Sequence, residues 1–312
     1  MSRKIKLGGA QLGPIQRSES KQEVVKRMLV LLDNAHKNNC DFVVFPELAL
    51  TTFFPRWNIE DQEEVDSYFE YEMPNAITQE LFDKAREYQI GFYLGYAEAV
   101  AEGESKRYFN TSILVDSSGH IVGKYRKIHL PGHDKYDAER AFQHLEKKYF
   151  EVGDIGFPVY RNEHGLFGMC ICNDRRWPET YRVMGLQGVE LIALGYNTPT
   201  TNSQRPEEGA EDRTFHSELS IQAGAYQNGT FVVAVAKAGV ENGFPLLGGS
   251  IIVHPSGKVL AKATTLEDEL IMADIDLDDT VFFKQTIFDF ARHRQPQHYG
   301  RIVEQKGVLL PE

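Results

Sequence analysis

Apolar and polar positions along this chain follow two periods that take turns. Ile5–Leu12 is a short apolar run of strand length. Lys21–Asn39 carries Val24, Val25, Met28, Leu31, Leu32 and Ala35 at spacings of one, three and four, which predicts an amphipathic helix. Asp41–Phe45 (DFVVF) predicts a compact apolar strand halted by Pro46. Ile77–Tyr88 reads as a helix and Gly91–Ala99 as a strand. Asn110–Val122 predicts a hairpin turning at Asp116-Ser117-Ser118-Gly119, and Phe157–Cys172 a second one turning at Asn162–Gly165. Pro178–Gly188 and Arg213–Asn228 predict helices. Phe231–Ala238, Gly249–Lys262 (turning at Pro255-Ser256-Gly257) and Leu270–Asp276 predict the remaining strands.

Short apolar strands mixed with hairpins and helices predict an α/β protein whose partly antiparallel sheets are covered by helices. No linker, low-complexity stretch or internal repeat interrupts the 312 residues, so one domain is expected over 1–312. The polar, aromatic stretch Phe288–Arg301 is expected to end the chain as a C-terminal arm from about residue 285, either loosely packed or docked on a neighbouring subunit.

Charge narrows the function. The formal net charge is −11, which argues against a general nucleic-acid binder. It leaves room for a small anionic substrate, because a few local arginines suffice to hold one carboxylate. The three cysteines, Cys40, Cys170 and Cys172, form no disulfide framework and are expected as free thiols in a reducing, cytoplasmic setting. The first residues carry charges without a long apolar run, so no signal peptide is expected, and no segment approaches the ~18 apolar residues of a membrane span.

Three stretches carry candidate chemistry. In Phe45-Pro46-Glu47 a carboxylate directly follows a buried strand, and strand ends are where sites collect in α/β proteins. In GKYRKIHLP, Lys127 is the last lysine before the chain turns inward. In GMCICNDRRWPE an apolar strand ends at Cys172 just before Pro178, which suits a first helical turn. A strand-to-helix turn exposes a nucleophile and aims backbone N–H groups at one point. The adjacent Arg175 and Arg176 predict a thiol held towards its thiolate. His129 and His133 have the i,i+4 spacing of a zinc site, but Pro131 and Gly132 lie between them and no HExxH motif or cysteine cluster accompanies them, so no metal is expected.

Taken together, FPELAL, GKYRKIHLPG and CNDRRWPE resemble the three signature segments of the nitrilase superfamily of carbon–nitrogen hydrolases. Further stretches (ELALTTFFPRW, FNTSILVD, FQHLEKKYFEVGD, GYNTP and HRQPQHYG) are similar to the branch that acts on N-carbamoyl-D-amino acids. The resemblance implies a four-layer α-β-β-α sandwich, a homodimer or homotetramer packed through outer helices, and no cofactor. It implies a catalytic set of Glu47 as general base and acid, Lys127 as oxyanion donor with the backbone N–H of Asn173, and Cys172 as nucleophile. It also implies a further Glu146 that orients Lys127 or a water. Arginine forks match carboxylates in two-pronged fashion, so Arg175 and Arg176 are expected to anchor the carboxylate of an N-carbamoyl amino acid. His129 and His144 are expected near the substrate or Glu47, and Asn197 and Thr198 near the carboxylate. The same three catalytic residues would serve a β-ureidopropionase, an aliphatic amidase or a nitrilase.

Overall fold

The structure, a computed structural model, describes residues 2–103, 105–140 and 142–311. The first sheet is entered by β1 (Lys4–Gln11), β2 (Phe42–Val44), β3 (Gly91–Glu102), β4 (Ser105–Val115) and β5 (Ile121–Arg126). The chain then crosses to a second sheet with β6 (Val159–Arg161), β7 (Leu166–Ile171), β8 (Leu191–Tyr196) and β9 (Phe231–Ala236). A separate hairpin, β10 (Ala238–Glu241) and β11 (Phe244–Leu247), precedes β12 (Ile251–Val253) and β13 (Val259–Lys262), which complete the second sheet. The last strand, β14 (Glu269–Asp276), returns to the first sheet and pairs antiparallel along the whole of β1.

Both sheets have six strands, in the orders β14-β1-β2-β3-β4-β5 and β6-β7-β8-β9-β12-β13. Read in those orders, the neighbours are antiparallel, parallel, parallel, antiparallel and antiparallel in each. The architecture is therefore a repeat that the residue sequence does not display.

Alternation along the strands builds the layers. In β2 and β3, Val43, Phe92 and Leu94 point outward to the helices α1 (Lys21–Lys37) and α3 (Gln79–Tyr88). A short α2 (Gln62–Ser67) lies between those helices in the chain. All six apolar residues predicted for α1 are buried, and its start is fixed by a reciprocal Ser20–Glu23 capping box. Each large side chain on that face contributes about 1.5–3 kcal/mol when fully buried. The other faces of β2 and β3 meet the second sheet. Phe42 packs edge-on against Phe167 at 5.1 Å. Tyr93 accepts from the Gly195 N–H and donates to the Cys170 carbonyl, both at 3.2 Å, stitching the sheets together. On the far side, α5 (Pro178–Gly185) and α6 (Ala210–Asn228) bury Tyr181, Met184, Ile221 and Ala225. The result is the expected helix–sheet–sheet–helix sandwich, with α4 (Glu146–Tyr149) beside it.

The β10–β11 hairpin, absent from the sequence reading, clamps the segment that follows β2. Glu241 is fully buried. Its Oε1 accepts from Phe53 N at 2.6 Å, Thr52 Oγ1 at 3.0 Å and Arg56 Nη2 at 3.0 Å. Its Oε2 accepts from Ile15 N and Lys237 Nζ, both at 3.1 Å. Lys237 also donates to the Thr51 carbonyl at 2.7 Å. Among the described residues past Gln285 the chain forms short helices that bury no residue.

Candidate active site

The candidate residues sit at the carboxyl ends of strands drawn from both sheets. Glu47 follows β2, Lys127 follows β5, Cys172 follows β7 and Asn197 follows β8. Cys172 and Leu48 both have left-handed backbone, φ +48° and +46°, which non-glycine residues adopt only when the surroundings enforce it. Two glycines leave space for the Glu47 turn. A Cβ on Gly195 would lie 2.4 Å from Glu47 N, and one on Gly95 2.8 Å from Glu47 Cα.

Glu47, Lys127 and Glu146 are fully buried. Lys127 Nζ donates to Glu47 Oε1 at 2.7 Å and to Glu146 Oε2 at 2.6 Å. Asn110 Nδ2 adds a second donor to Glu47 Oε1 at 2.8 Å. On Glu47 Oε2 the backbone N–H of Asn197 donates at 2.9 Å, and no other donor reaches it among the described residues. A carboxylate offers about four acceptor positions, so one remains open. His144 Nε2 lies 3.0 Å from Glu146 Oε1. Burial alone would lower Lys127, but the acidic groups of Cys172 (once deprotonated), Glu146 and Glu47 outweigh it, and Lys127 is held protonated. Burial alone would raise Glu146, but Lys127 and then His144 hold it below the usual carboxylate range.

The thiol corrects one expectation. Burial, and then the Glu47 carboxylate, push Cys172 up from its ordinary value, and Lys127 and Arg175 only partly oppose them. Adjacent arginines in the sequence do not make a standing thiolate here, because desolvation outweighs them. The Sγ approaches the Asn197 carbonyl at 3.5 Å. Cys40 and Cys170 are buried free thiols, also pushed up by desolvation.

A recess opens on the thiol, lined by Cys172, Asn173, Arg175, Arg176, Asn197, Thr198 and His144, with Arg213 as an unforeseen member. Arg175 is buried and its donors are used internally. They reach the Cys172 carbonyl at 2.6 Å, Thr198 Oγ1 at 2.9 Å and Ser217 Oγ at 3.2 Å, and the guanidinium stacks over Tyr196. It shapes the turn, whereas Arg176 is exposed and makes no hydrogen bond among the described residues. Asn197 Nδ2 donates to the Glu47 carbonyl at 3.0 Å. Its buried Oδ1 has no partner among the described residues, and an acceptor suits an N–H rather than a carboxylate.

His129 is not brought to Glu47. Its Nδ1 and its backbone N–H each lie 2.9 Å from Asp174 Oδ1, and its ring stacks on Trp177 at 4.9 Å. Asp174 also accepts from Tyr125 at 2.8 Å and from Ile171 N at 3.0 Å, so it ties down the turn carrying Cys172. Asn173 Nδ2 donates to the His129 carbonyl at 3.0 Å. Asn110 and Arg213 were missed. Asn110 stands in FNTSILVD, on β4 between β3 and β5, and that stretch was the available signal. Arg213 gave none beyond opening a helix. Among the described residues no group of three or more His, Cys, Asp or Glu is placed to hold a metal ion, and no helix is long and apolar enough to cross a membrane.

Comparison with known proteins gives the family. Residues 6–285 match the carbon–nitrogen hydrolase family. A nitrilase of Pyrococcus abyssi is 31% identical over 247 residues, which cover 79% of this chain and 81% of that protein. An N-carbamoylputrescine amidase of Arabidopsis thaliana is 27% identical over 289 residues, 89% of each chain. The structure of a carbon–nitrogen hydrolase from Helicobacter pylori G27 superimposes with a TM-score of 0.81 at 24% identity, over 97% of this chain and 99% of that one. The chain belongs to the carbon–nitrogen hydrolase family.

Proposed function

We propose that this carbon–nitrogen hydrolase cleaves N-carbamoyl amino acids, D enantiomers in preference, to free amino acid, ammonia and carbon dioxide. The observation that carries the reading is a strained thiol beside a carboxylate with one open acceptor position, behind a recess edged by guanidinium groups. A urea-type carbonyl is a poor electrophile, and covalent catalysis divides its hydrolysis into two easier steps. Because Cys172 is pushed up, it attacks only as Glu47 takes its proton. The Sγ–C bond forms, and the oxyanion is met by the Lys127 ammonium and the Asn173 N–H. Collapse expels one amine, which takes the proton from Glu47. Water, deprotonated by Glu47, then cleaves the S-carbamoyl bond, the Cys172 thiolate leaves and recovers a proton from Glu47, and the carbamate released splits into carbon dioxide and the second amine. Asn197 Oδ1 supplies an acceptor for a carbamoyl N–H.

Two features favour a ureido acid over a simple amide or a nitrile. One relative is named for a ureido compound, N-carbamoylputrescine. The cationic tail of that compound would be repelled by Arg176 and Arg213, whereas a carboxylate would be drawn to them. The D preference rests on the likeness of the quoted stretches to that branch. Exposed Val183 on α5, Leu186 just after it, and Phe215 and Leu219 on α6 support assembly into a homodimer or homotetramer through that face, which sedimentation would test.

The test of function is ammonia release from matched N-carbamoyl-D- and N-carbamoyl-L-amino acids and from β-ureidopropionate, with Cys172→Ala as control. Release from the D series alone, lost in the variant, is expected. Equal release from both enantiomers, or from β-ureidopropionate alone, moves the protein to a sister branch.

A further inference from the structure

The recess over Cys172 has a volume of about 30 Å³, far below what a small-molecule site needs. A wall that moves would give a substrate the room it needs. Two wall residues, Pro199 and Arg213, bracket a loop closed on itself by one side chain. Glu208, largely buried, accepts from Arg213 Nη1 at 3.2 Å and from Asn202 Nδ2 at 2.7 Å, and lies 3.0 Å from His216 Nδ1. Arg213 Nε donates to the Pro199 carbonyl at 2.8 Å. A carboxylate of the protein thus already sits on one of the three guanidinium groups around the recess.

The other two divide the work unequally. Arg175 has committed its donors to the turn and to α6. Arg176 and Arg213 are left to meet an anion. The guanidinium groups are crowded. Arg175, Arg176 and Arg213 all line the one small recess, so their like charges are close together. Such a cluster gains from any carboxylate brought to it, and at rest Glu208 is the one it has.

We infer that Arg213 is a specificity-determining residue for the substrate carboxylate, and that Glu208 is the internal carboxylate exchanged for it. This rests on the ureido-acid reading above. The incoming carboxylate takes the Arg213 Nη1 position, Glu208 leaves with its loop, and the recess widens. A neutral or cationic ureido compound has nothing to exchange, so the loop stays closed against it. Selection for an anion is then made at entry as well as in the bound state.

The test compares KM for an N-carbamoyl-D-amino acid with KM for its neutral carboxamide in wild type, Arg213→Gln, Arg213→Lys, Glu208→Gln and the double variant Glu208→Gln/Arg213→Gln. A loss of packing would move both substrates alike, so the ratio of the two KM values isolates the exchange. Arg213→Gln should raise KM for the acid roughly tenfold more than for the amide, the scale of one charge-assisted hydrogen bond. Arg213→Lys should recover part of that difference. Glu208→Gln should lower KM for the acid, and the double variant should match Arg213→Gln, because the competitor matters only while its partner is present. An unchanged acid-to-amide ratio in Arg213→Gln, or a raised acid KM in Glu208→Gln, overturns the inference while leaving the ureido-acid reading intact. Wild-type protein that releases ammonia from no ureido acid overturns that reading, and this inference with it.

Discussion

Two buried ionic groups lie close together in this molecule and are built from the same residue types. Around Glu241, one carboxylate meets two cations, Lys237 and Arg56, and three further donors, so all its acceptor positions are taken. Around Glu47 the balance is reversed, with two carboxylates, Glu47 and Glu146, sharing Lys127. There Glu47 keeps one acceptor position open beside a thiol on strained backbone. Burial of charge therefore does not mark a reactive site. An unfilled acceptor next to a group that can give up a proton does.

That contrast can be broken by exchanging the two losses. Glu47→Gln should reduce kcat roughly 10²–10⁴-fold, the usual worth of a general base, while Lys127 keeps Glu146 as its partner and thermal unfolding shifts little. Glu241→Gln should do the opposite. It strands two buried cations, so unfolding free energy should fall by about 3–5 kcal/mol with turnover per folded molecule nearly kept. If calorimetry and kinetics show Glu241→Gln silent in stability but dead in turnover, the division between the two groups is mistaken.

A smaller effect sharpens the geometry. Gly195→Ala brings a methyl group against the Glu47 turn and should cost about 1–3 kcal/mol as overpacking. Most of its effect should appear in kcat, because the atom displaced is Glu47 N. Gly257→Ala, with only ordinary contacts but a φ of +80°, is the control for backbone strain alone. Equal kcat losses in the two variants would remove the special role of the Gly195 notch.

In pH dependence the two groups behave alike. Glu146 and Glu241 are both held below the ordinary carboxylate range, against the burial that would raise them, chiefly by Lys127 and Lys237 respectively. A depressed folded-state value adds stability that is complete above the unfolded value of about 4.3 and drains away as pH falls through the lower folded value. Urea midpoints should therefore fall as the medium is acidified below about pH 5, and Glu146→Gln should flatten that limb; an identical slope in the variant would show that the pair carries no such linkage. Least in size is the behaviour of the thiol. Iodoacetamide should label Cys172 at a rate still climbing through about pH 8.5, the ordinary thiol value, since burial and Glu47 push the thiol up. A rate already level at neutral pH would indicate a standing thiolate instead.

Much of this was readable from residues alone, and the reason is local. The α1 stripe, the two hairpins and the strands before Glu47, Lys127 and Cys172 follow from periods and turn residues within short windows. What escaped depends on how side chains meet once the chain has folded, whether the partners are near or far in sequence. The matching neighbour patterns of the two sheets are a property of pairing, invisible to any residue count. Arg175 and Arg176 look alike in sequence, yet one is consumed by the turn and the other faces the recess. Asn110 and Arg213 gain their meaning only from Glu47 and Glu208 folding against them. The thiol was misjudged because adjacency of charges is written in the sequence, while exclusion of water is not.

The pairing of β14 along all of β1 also has a consequence for how the chain is made. On the ribosome the N-terminal strand emerges first, and its edge partner follows roughly 250 residues later, a delay on the order of tens of seconds at ordinary synthesis rates. Through that interval β1 offers an open, mostly apolar border to any passing chain. Yield in the cell should therefore respond to chaperone supply and translation speed well before it responds to changes in the finished enzyme's stability.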